Sequence, residues 1–181
     1  MRELSLNILD IAQNSISAGS SLTEIVVNEN TKDKTLLIGI YDNGCGMTEE
    51  QVKSVIDPFF TTRTTRKVGM GIPLFKMSCE QTGGKFTIES EKGVGTKINA
   101  LYKTDSIDFT PLGDIASTIV TIVSMNADKD FLYRRILDDR EAIFSTVEIK
   151  KILDGVPLSE PSVMNWIEEY LNEQYNELLK G

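Results

Sequence analysis

The sequence predicts an α/β fold in which a mixed sheet is backed by helices on one face. Three observations carry that expectation. Residues 4–16 repeat apolar side chains at helical spacing, four runs between residues 23 and 102 are β-rich, and a second helical segment follows Gly71. A chain of 181 residues is long enough to bury a core around such a sheet.

In the first segment Leu4, Ile8, Ile11, Ala12 and Ile16 form one apolar stripe, and Gly19 supplies a stop. Asp10 and Asn14, four residues apart, stack on one face of that helix. T-E-I-V-V-N-E-N and T-L-L-I-G-I-Y-D then read as two strands joined around Asn30 to Lys34. The second is almost uniformly apolar, so a central strand is expected, delivering Asp42 to its end. Thr48 and Gln51 have the spacing of a capping box for a short helix to about Ile56, which Pro58 stops. The helix after Gly71 carries Ile72, Leu74, Phe75 and Met77, accepts Pro73 in its first turn and ends near Gly83-Gly84. Strand-like runs from Lys85 to Ser90 and from Thr96 to Tyr102 complete the sheet.

Between Pro58 and Gly71 the chain reads P-F-F-T-T-R-T-T-R-K-V-G-M-G. Two aromatics, a Thr/Arg/Lys loop and paired glycines ahead of a helix are how a phosphate-facing lid would be written. Gly69 and Gly71 let backbone N–H groups approach an anion, and the helix start adds partial positive charge. A lone G-x-G also fits an ordinary turn. D-N-G-C-G-M, residues 42–47, is likewise compatible with a plain turn after a strand, and Asn14 with a solvated helix position.

Taken in register, the helix with Asp10 and Asn14, the D-N-G-C-G-M box, P-F-F-T-T with G-M-G, G-G-K-F-T-I-E-S from Gly83 and G-V-G-T-K-I from Gly93 form a pattern. It resembles the gyrase, heat-shock chaperone, histidine kinase and mismatch-repair superfamily of ATPases, the GHKL or Bergerat fold. The likeness is strongest to the ATP-binding catalytic domain of histidine kinases and covers roughly the first hundred residues. It implies a two-layer α/β sandwich that binds ATP and magnesium. By that resemblance Asp42 accepts a hydrogen bond from the exocyclic amine of adenine, helped by Thr96, and Gly44, Gly46 and Met47 line the nucleotide. Asn14 matches the asparagine whose amide oxygen holds Mg²⁺, while Arg66, Lys67, Gly69, Met70 and Gly71 form the phosphate side. Lys67 and Arg66 are the candidates for charge stabilisation during transfer, and Arg63 reads as a solvated loop charge. Asp10 stands where hydrolysing members carry a glutamate base; it is one methylene shorter, and Ser17 departs from the pattern too. Phe59 and Phe60 resemble the kinase aromatic box, or anchor the lid.

The chain contains no histidine, so any phospho-acceptor histidine must lie on another protein, and a standalone domain without one is expected. The implied activity is phosphoryl transfer from ATP to a separate protein, or slow hydrolysis. The alternative is a non-enzymatic switch in which ATP orders a surface for a partner. A net charge of −8 argues against nucleic acid or anionic membrane as partner, while ATP needs only the local cluster Arg63, Arg66 and Lys67. Cys45 and Cys79 suggest neither a disulfide framework nor zinc, and Cys45 reads as a small filler. Without a leader or a long apolar run, the cytoplasm is the expected place.

The resemblance fades beyond Lys103, so residues 1–104 are expected to form the ATP-binding domain. Residues 105–181 are expected to form an α+β extension packed on it. Thr110-Pro111 reads as the cap of a helix through I-A-S-T-I-V-T-I-V, whose β-branching fits a strand nearly as well. A hairpin with Asp138 and Asp139 at its turn follows, then a capping box of Ser145 and Glu148 opening a helix to about Leu153. The last helix, from about Ser162, places Val163, Trp166, Ile167, Tyr170, Leu171 and Leu178 on one face. That face packs on its own domain or docks a partner or second copy.

Overall fold

Twelve elements follow one another in the computed structural model, which describes residues 3–59 and 70–181. They are α1 (Leu4–Ser17), β1 (Leu22–Asn30), β2 (Thr35–Asp42), α2 (Glu49–Val55), α3 (Gly71–Gln81), β3 (Lys85–Glu91) and β4 (Gly95–Lys103). Then come α4 (Ile115–Met125), β5 (Asp130–Leu137), β6 (Arg140–Ser145), α5 (Thr146–Leu153) and α6 (Pro161–Lys180). Phe60, Arg63, Arg66, Lys67 and Gly69 of the expected lid lie outside the described residues.

The strands form one six-stranded sheet in the order β3-β4-β2-β1-β5-β6. Neighbours are antiparallel except β1 and β5, which run parallel from Leu22↔Asp130 to Glu29↔Leu137, so the sheet is mixed as expected. The apolar run of β2 occupies a central position between β4 and β1. Strand periodicity sends Ile25 and Val27, Ile38 and Ile40, Ala100 and Tyr102, and Phe131 and Tyr133 to one buried face. Helices cover that face in sheet order: α3 lies on β3 and β4, α1 on β1 and β2, and α6 on β5 and β6. α3 packs on α1, α1 on α4, and α4 on α6. The opposite face is polar: Tyr41 donates to Asn99 at 2.6 Å, and Arg134 bridges Glu24 at 3.3 Å and Glu141 at 2.6 Å.

Sequence signals at element ends succeed where the backbone needs them. The Thr48–Gln51 capping box forms in both directions. The expected start at Thr110-Pro111 does not: α4 begins at Ile115, because Asp114 caps it by accepting from the Ser117 amide at 3.0 Å. The backbone of Pro111 is engaged elsewhere, its carbonyl accepting from the Leu4 amide. The β-branched run that follows is helical, with Ile119, Ile122 and Val123 buried, so burial overrides intrinsic preference. Ser145 precedes α5 but makes no capping bond. Its neighbour Thr146 holds the helix instead, its Oγ1 accepting from the Phe131 amide at 2.8 Å.

Two apolar stripes also need correction. On α3 only Ile72, Pro73, Phe75 and Cys79 among the larger residues are buried, while Leu74 and Met77 face outward. On α6 Val163, Ile167, Leu171 and Leu178 are buried, but Trp166 is 45% exposed and stacks on Tyr170 with ring centroids 5.4 Å apart. The exposed indole lies one position before the buried Ile167, outside the stripe that the sheet can reach.

Phe75 is fully buried and meets Phe86 and Tyr102 at centroid distances of 6.4 and 6.2 Å. Phe75→Ala should cost about 3–5 kcal/mol of stability through the cavity it leaves, read as a lowered urea midpoint at unchanged slope.

Candidate functional site

Where β2 ends and β4 begins, the sheet edge and α1 enclose a cavity of about 520 Å³. Its floor is apolar, from Ile11, Val55, Ile72 and Ile98, and its polar lining includes Asn14, Ser15, Asp42 and Thr96. Asp42 and Thr96 are direct partners across the β2–β4 ladder, so strand register sets them side by side.

The Asp42 carboxylate is oriented from two sides. Ser15 donates its hydroxyl to Oδ2 at 2.7 Å, and the Gly44 amide donates to Oδ1 at 2.9 Å. Oxygens accepting one bond each retain lone pairs for a further donor in the cavity. Ser90 links the opposite wall: its Oγ accepts from the Met47 amide at 2.8 Å and lies 2.8 Å from the Thr96 hydroxyl.

The loop after Asp42 is held where only glycine fits. Gly46 has φ +68°, and a Cβ there would fall 1.9 Å from the Glu91 carbonyl oxygen. A Cβ on Gly44 would approach the Ala18 carbonyl to 2.9 Å. Cys45 ties the loop on both sides, its amide donating to Ala18 O at 2.9 Å and its carbonyl accepting from Gly93 at 2.7 Å. Its side chain is exposed and lines the cavity rather than filling interior space, and Cys79 is the buried thiol. Asn43 fastens the start of β1, its Oδ1 accepting from Ser20 Oγ and from the Ser21 and Leu22 amides.

Asn14, half-buried, faces the cavity, and its side-chain amide makes no hydrogen bond to another described residue. Asp10 is exposed one turn earlier and does not line the cavity. It sits against the start of α3, where a Cβ on Gly71 would come within 3.2 Å of the Asp10 Cβ. Partial burial raises the Asp10 carboxyl above its ordinary value. Met70 precedes α3 as its N-cap residue. Thus Asn14, Asp42, Gly46, Met47 and Thr96 converge on one cavity, Gly44 orients Asp42 from behind, and Asp10, Met70 and Gly71 flank it. Arg66, Lys67 and Gly69 lie outside the described residues.

Ser15 and Ser90 orient the polar groups at this cavity and were not among the expected site residues. A signal existed for Ser15, a polar residue four after Ile11 on the buried stripe; Ser90 closes an E-S pair whose role depends on strand pairing. Among the described residues no three acidic or cysteine side chains converge as a metal cage. An amide oxygen facing a cavity suits a cation that also takes phosphate and water oxygens, as Mg²⁺ does.

Residues 1–106 match the family described as histidine kinase-, DNA gyrase B-, and HSP90-like ATPases. The chain belongs to this family. Within it, similarity extends to sporulation kinase E of Bacillus subtilis, 33% identical over 97 residues, 53% of this chain and 13% of that protein. Sensor protein SrrB of Staphylococcus aureus is 34% identical over 101 residues, 53% of this chain and 17% of that protein. This ATPase-family chain therefore spans less than a fifth of these curated relatives. In fold it is similar to the Aquifex aeolicus MutL ATPase domain complexed with ADP, with TM-score 0.51, 14% identity and coverage of 85% of this chain and 70% of that one. The N-terminal domain of a DNA repair protein gives TM-score 0.57 and 14% identity, covering 80% of this chain and 53% of that one. At that identity both likenesses concern fold alone. No helix among the described residues is long and apolar enough to cross a membrane.

Because the folded chain raises the Asp10 carboxyl, the ionised side chain lowers stability above that pKa, and protonation relieves the cost as pH falls. Asp10→Asn should therefore raise the melting temperature at pH 7, with the gain shrinking toward pH 4 and vanishing below it. Calorimetric scans of both proteins across that range would check the sign.

Proposed function

We propose that this chain binds Mg-ATP in the cavity between α1 and the β2–β4 edge and transfers the γ-phosphoryl group to a residue on a separate protein. The observation that carries the reading is the Asp42 carboxylate, held from two sides by Ser15 and Gly44 beside an apolar floor, in a chain of the ATPase family. Such a carboxylate accepts a hydrogen bond from the exocyclic amine of adenine while Ile98 and Ile72 pack against the base. Thr96, bonded to Ser90, offers a second polar contact, directly or through water. Asn14, on the α1 side of the cavity, would hold magnesium through its amide oxygen, and that ion would supply neutralisation of phosphate charge.

In the transfer an acceptor oxygen or nitrogen forms a bond to the γ-phosphorus as the bond to the β–γ bridging oxygen breaks and ADP leaves. The acceptor's proton passes to solvent water. Lys67 and Arg66, on the stretch between Phe59 and Met70, are assigned to the charge that develops on the phosphoryl oxygens, with the Gly69, Met70 and Gly71 backbone lining the phosphates. Asp10 is the candidate base where water is the acceptor. Its exposed position beside α3 rather than in the cavity lining favours transfer over hydrolysis. The similarity to a sporulation kinase supports phosphoryl transfer.

Calorimetric titration with ATP and Mg²⁺ tests the site. Asp42→Asn should weaken binding about tenfold or more, because a hydrogen bond to a charged group contributes about 1.5–3 kcal/mol. Unchanged affinity would remove Asp42 from the adenine role. Asn14→Ala should abolish the magnesium dependence of binding while leaving magnesium-free nucleotide affinity near wild type.

Turnover separates the chemistry. If water is activated by Asp10, Asp10→Asn should lower basal ATP consumption about a hundredfold or more without changing affinity. If the chain is a transferase, that variant should consume ATP at the wild-type basal rate, and radiolabel from γ-labelled ATP should appear on a co-purified protein. Saturable binding with neither consumption nor label would replace the transferase by a nucleotide-dependent switch.

A further inference from the structure

A second cavity, of about 450 Å³, lies between α4, α6 and the β1–β5–β6 half of the sheet, away from the Asp42 cavity. Its walls are mainly apolar, from residues such as Leu36, Phe109, Leu112, Phe144 and Leu171. Tyr133, only 5% exposed, is one of its lining residues. The Tyr133 hydroxyl makes no hydrogen bond to any described residue. Among the described residues no side-chain oxygen or nitrogen is both wholly buried and unpaired, so the Tyr133 oxygen is accessible, and Tyr133 lines this cavity. A hydroxyl that is open to a mainly apolar cavity and has no protein partner keeps its hydrogen-bonding capacity for a ligand atom.

The charged groups narrow the ligand. Arg135 is 5% exposed and already committed: it pairs with Glu29 at 3.1 Å, donates to the Val27 and Ile136 carbonyls, and lies 4.6 Å from the Tyr175 ring centroid. Asp114, also at the cavity, caps α4 through its carboxylate. Two carboxylates against one satisfied guanidinium oppose a further anion, and the apolar walls oppose a free cation.

We propose that this cavity is a second ligand site, distinct from the nucleotide cavity, for an uncharged, mainly apolar small molecule with a single hydrogen-bonding group that meets the Tyr133 hydroxyl. Its volume is that of an ordinary small-molecule site. Pro111 and Leu112 line it and also receive the Leu4 and Ser5 amides at the start of α1, at 2.9 and 2.8 Å. An occupant therefore touches the mount of the helix that carries Asp10 and Asn14, without entering their cavity.

The neutral fluorophore 6-propionyl-2-dimethylaminonaphthalene, an aromatic body with one carbonyl, is a suitable probe. Tyr170, which lines the cavity, stacks on Trp166, the single tryptophan of the chain, so binding should quench indole emission as probe emission shifts to the blue. Wild type should bind one probe saturably, with or without ATP. Tyr133→Phe, which removes only the hydroxyl, should weaken binding roughly three- to tenfold. Ala142 pairs with Arg135 across the β5–β6 ladder and lines the cavity, so Ala142→Phe, with its fold verified by circular dichroism, should abolish binding. Absence of saturable binding to wild type, or equal binding to Ala142→Phe, would overturn the site. Equal affinity for Tyr133→Phe would overturn the ligand class.

Discussion

The structure depends on how α1 is pinned. Its buried stripe, Leu4, Ile8, Ile11 and Ala12, packs into the core, but both of its ends are held by backbone bonds from distant segments. At the N-terminus the Pro111 and Leu112 carbonyls take the Leu4 and Ser5 amides. At the C-terminus the Ala18 carbonyl takes the Cys45 amide. First-turn amides of a helix have no partner within it, so the incoming carbonyls satisfy donors that burial would otherwise leave costly. A helix fixed this way can present Asn14 and Ser15 to a cavity without drifting relative to Asp42.

The second half of the chain is joined to the first through the sheet itself. β5 pairs in parallel with β1 along eight residue pairs, and the Asp138 carboxylate accepts from the Thr31 amide and hydroxyl at the end of that ladder. Those bonds hold the Asp138 carboxyl below its ordinary value. α4 packs on α1, so residues well past 106 contribute to the same hydrophobic core as the first helix. The 1–106 family match thus describes where the motifs lie, whereas the packing unit extends further.

Carboxylates are used in contrasting ways along α1 and β2. Asp42 is half-buried and given two hydrogen-bond donors, which suits a fixed acceptor. Asp10 has no hydrogen bond to another described residue, and partial desolvation beside the start of α3 raises its carboxyl. The difference follows from position: Asp42 ends a central strand under the α1–loop junction, and Asp10 lies on the outer flank of its helix.

The sequence by itself determined the element order through β4, the central place of β2, and the membership of Asn14, Asp42, Gly46, Met47 and Thr96 in one site. Element order and the place of β2 are written in local chemistry, in helical and strand periods and a capping box, whereas the grouping of those five residues came from the resemblance of motifs taken in register. Only the tertiary structure decided the start of α4 at Asp114, the outward turn of Leu74, Met77 and Trp166, and the parallel union of β5 with β1. It also decided the bonds of Ser15 and Ser90 to Asp42 and Thr96. The β1–β5 union and the Ser15–Asp42 bond have partners far away in sequence, and no local pattern encodes a contact whose other half lies across the fold. The Asp114 cap and the Trp166–Tyr170 stack are local, but which local option forms depends on what the rest of each helix packs against.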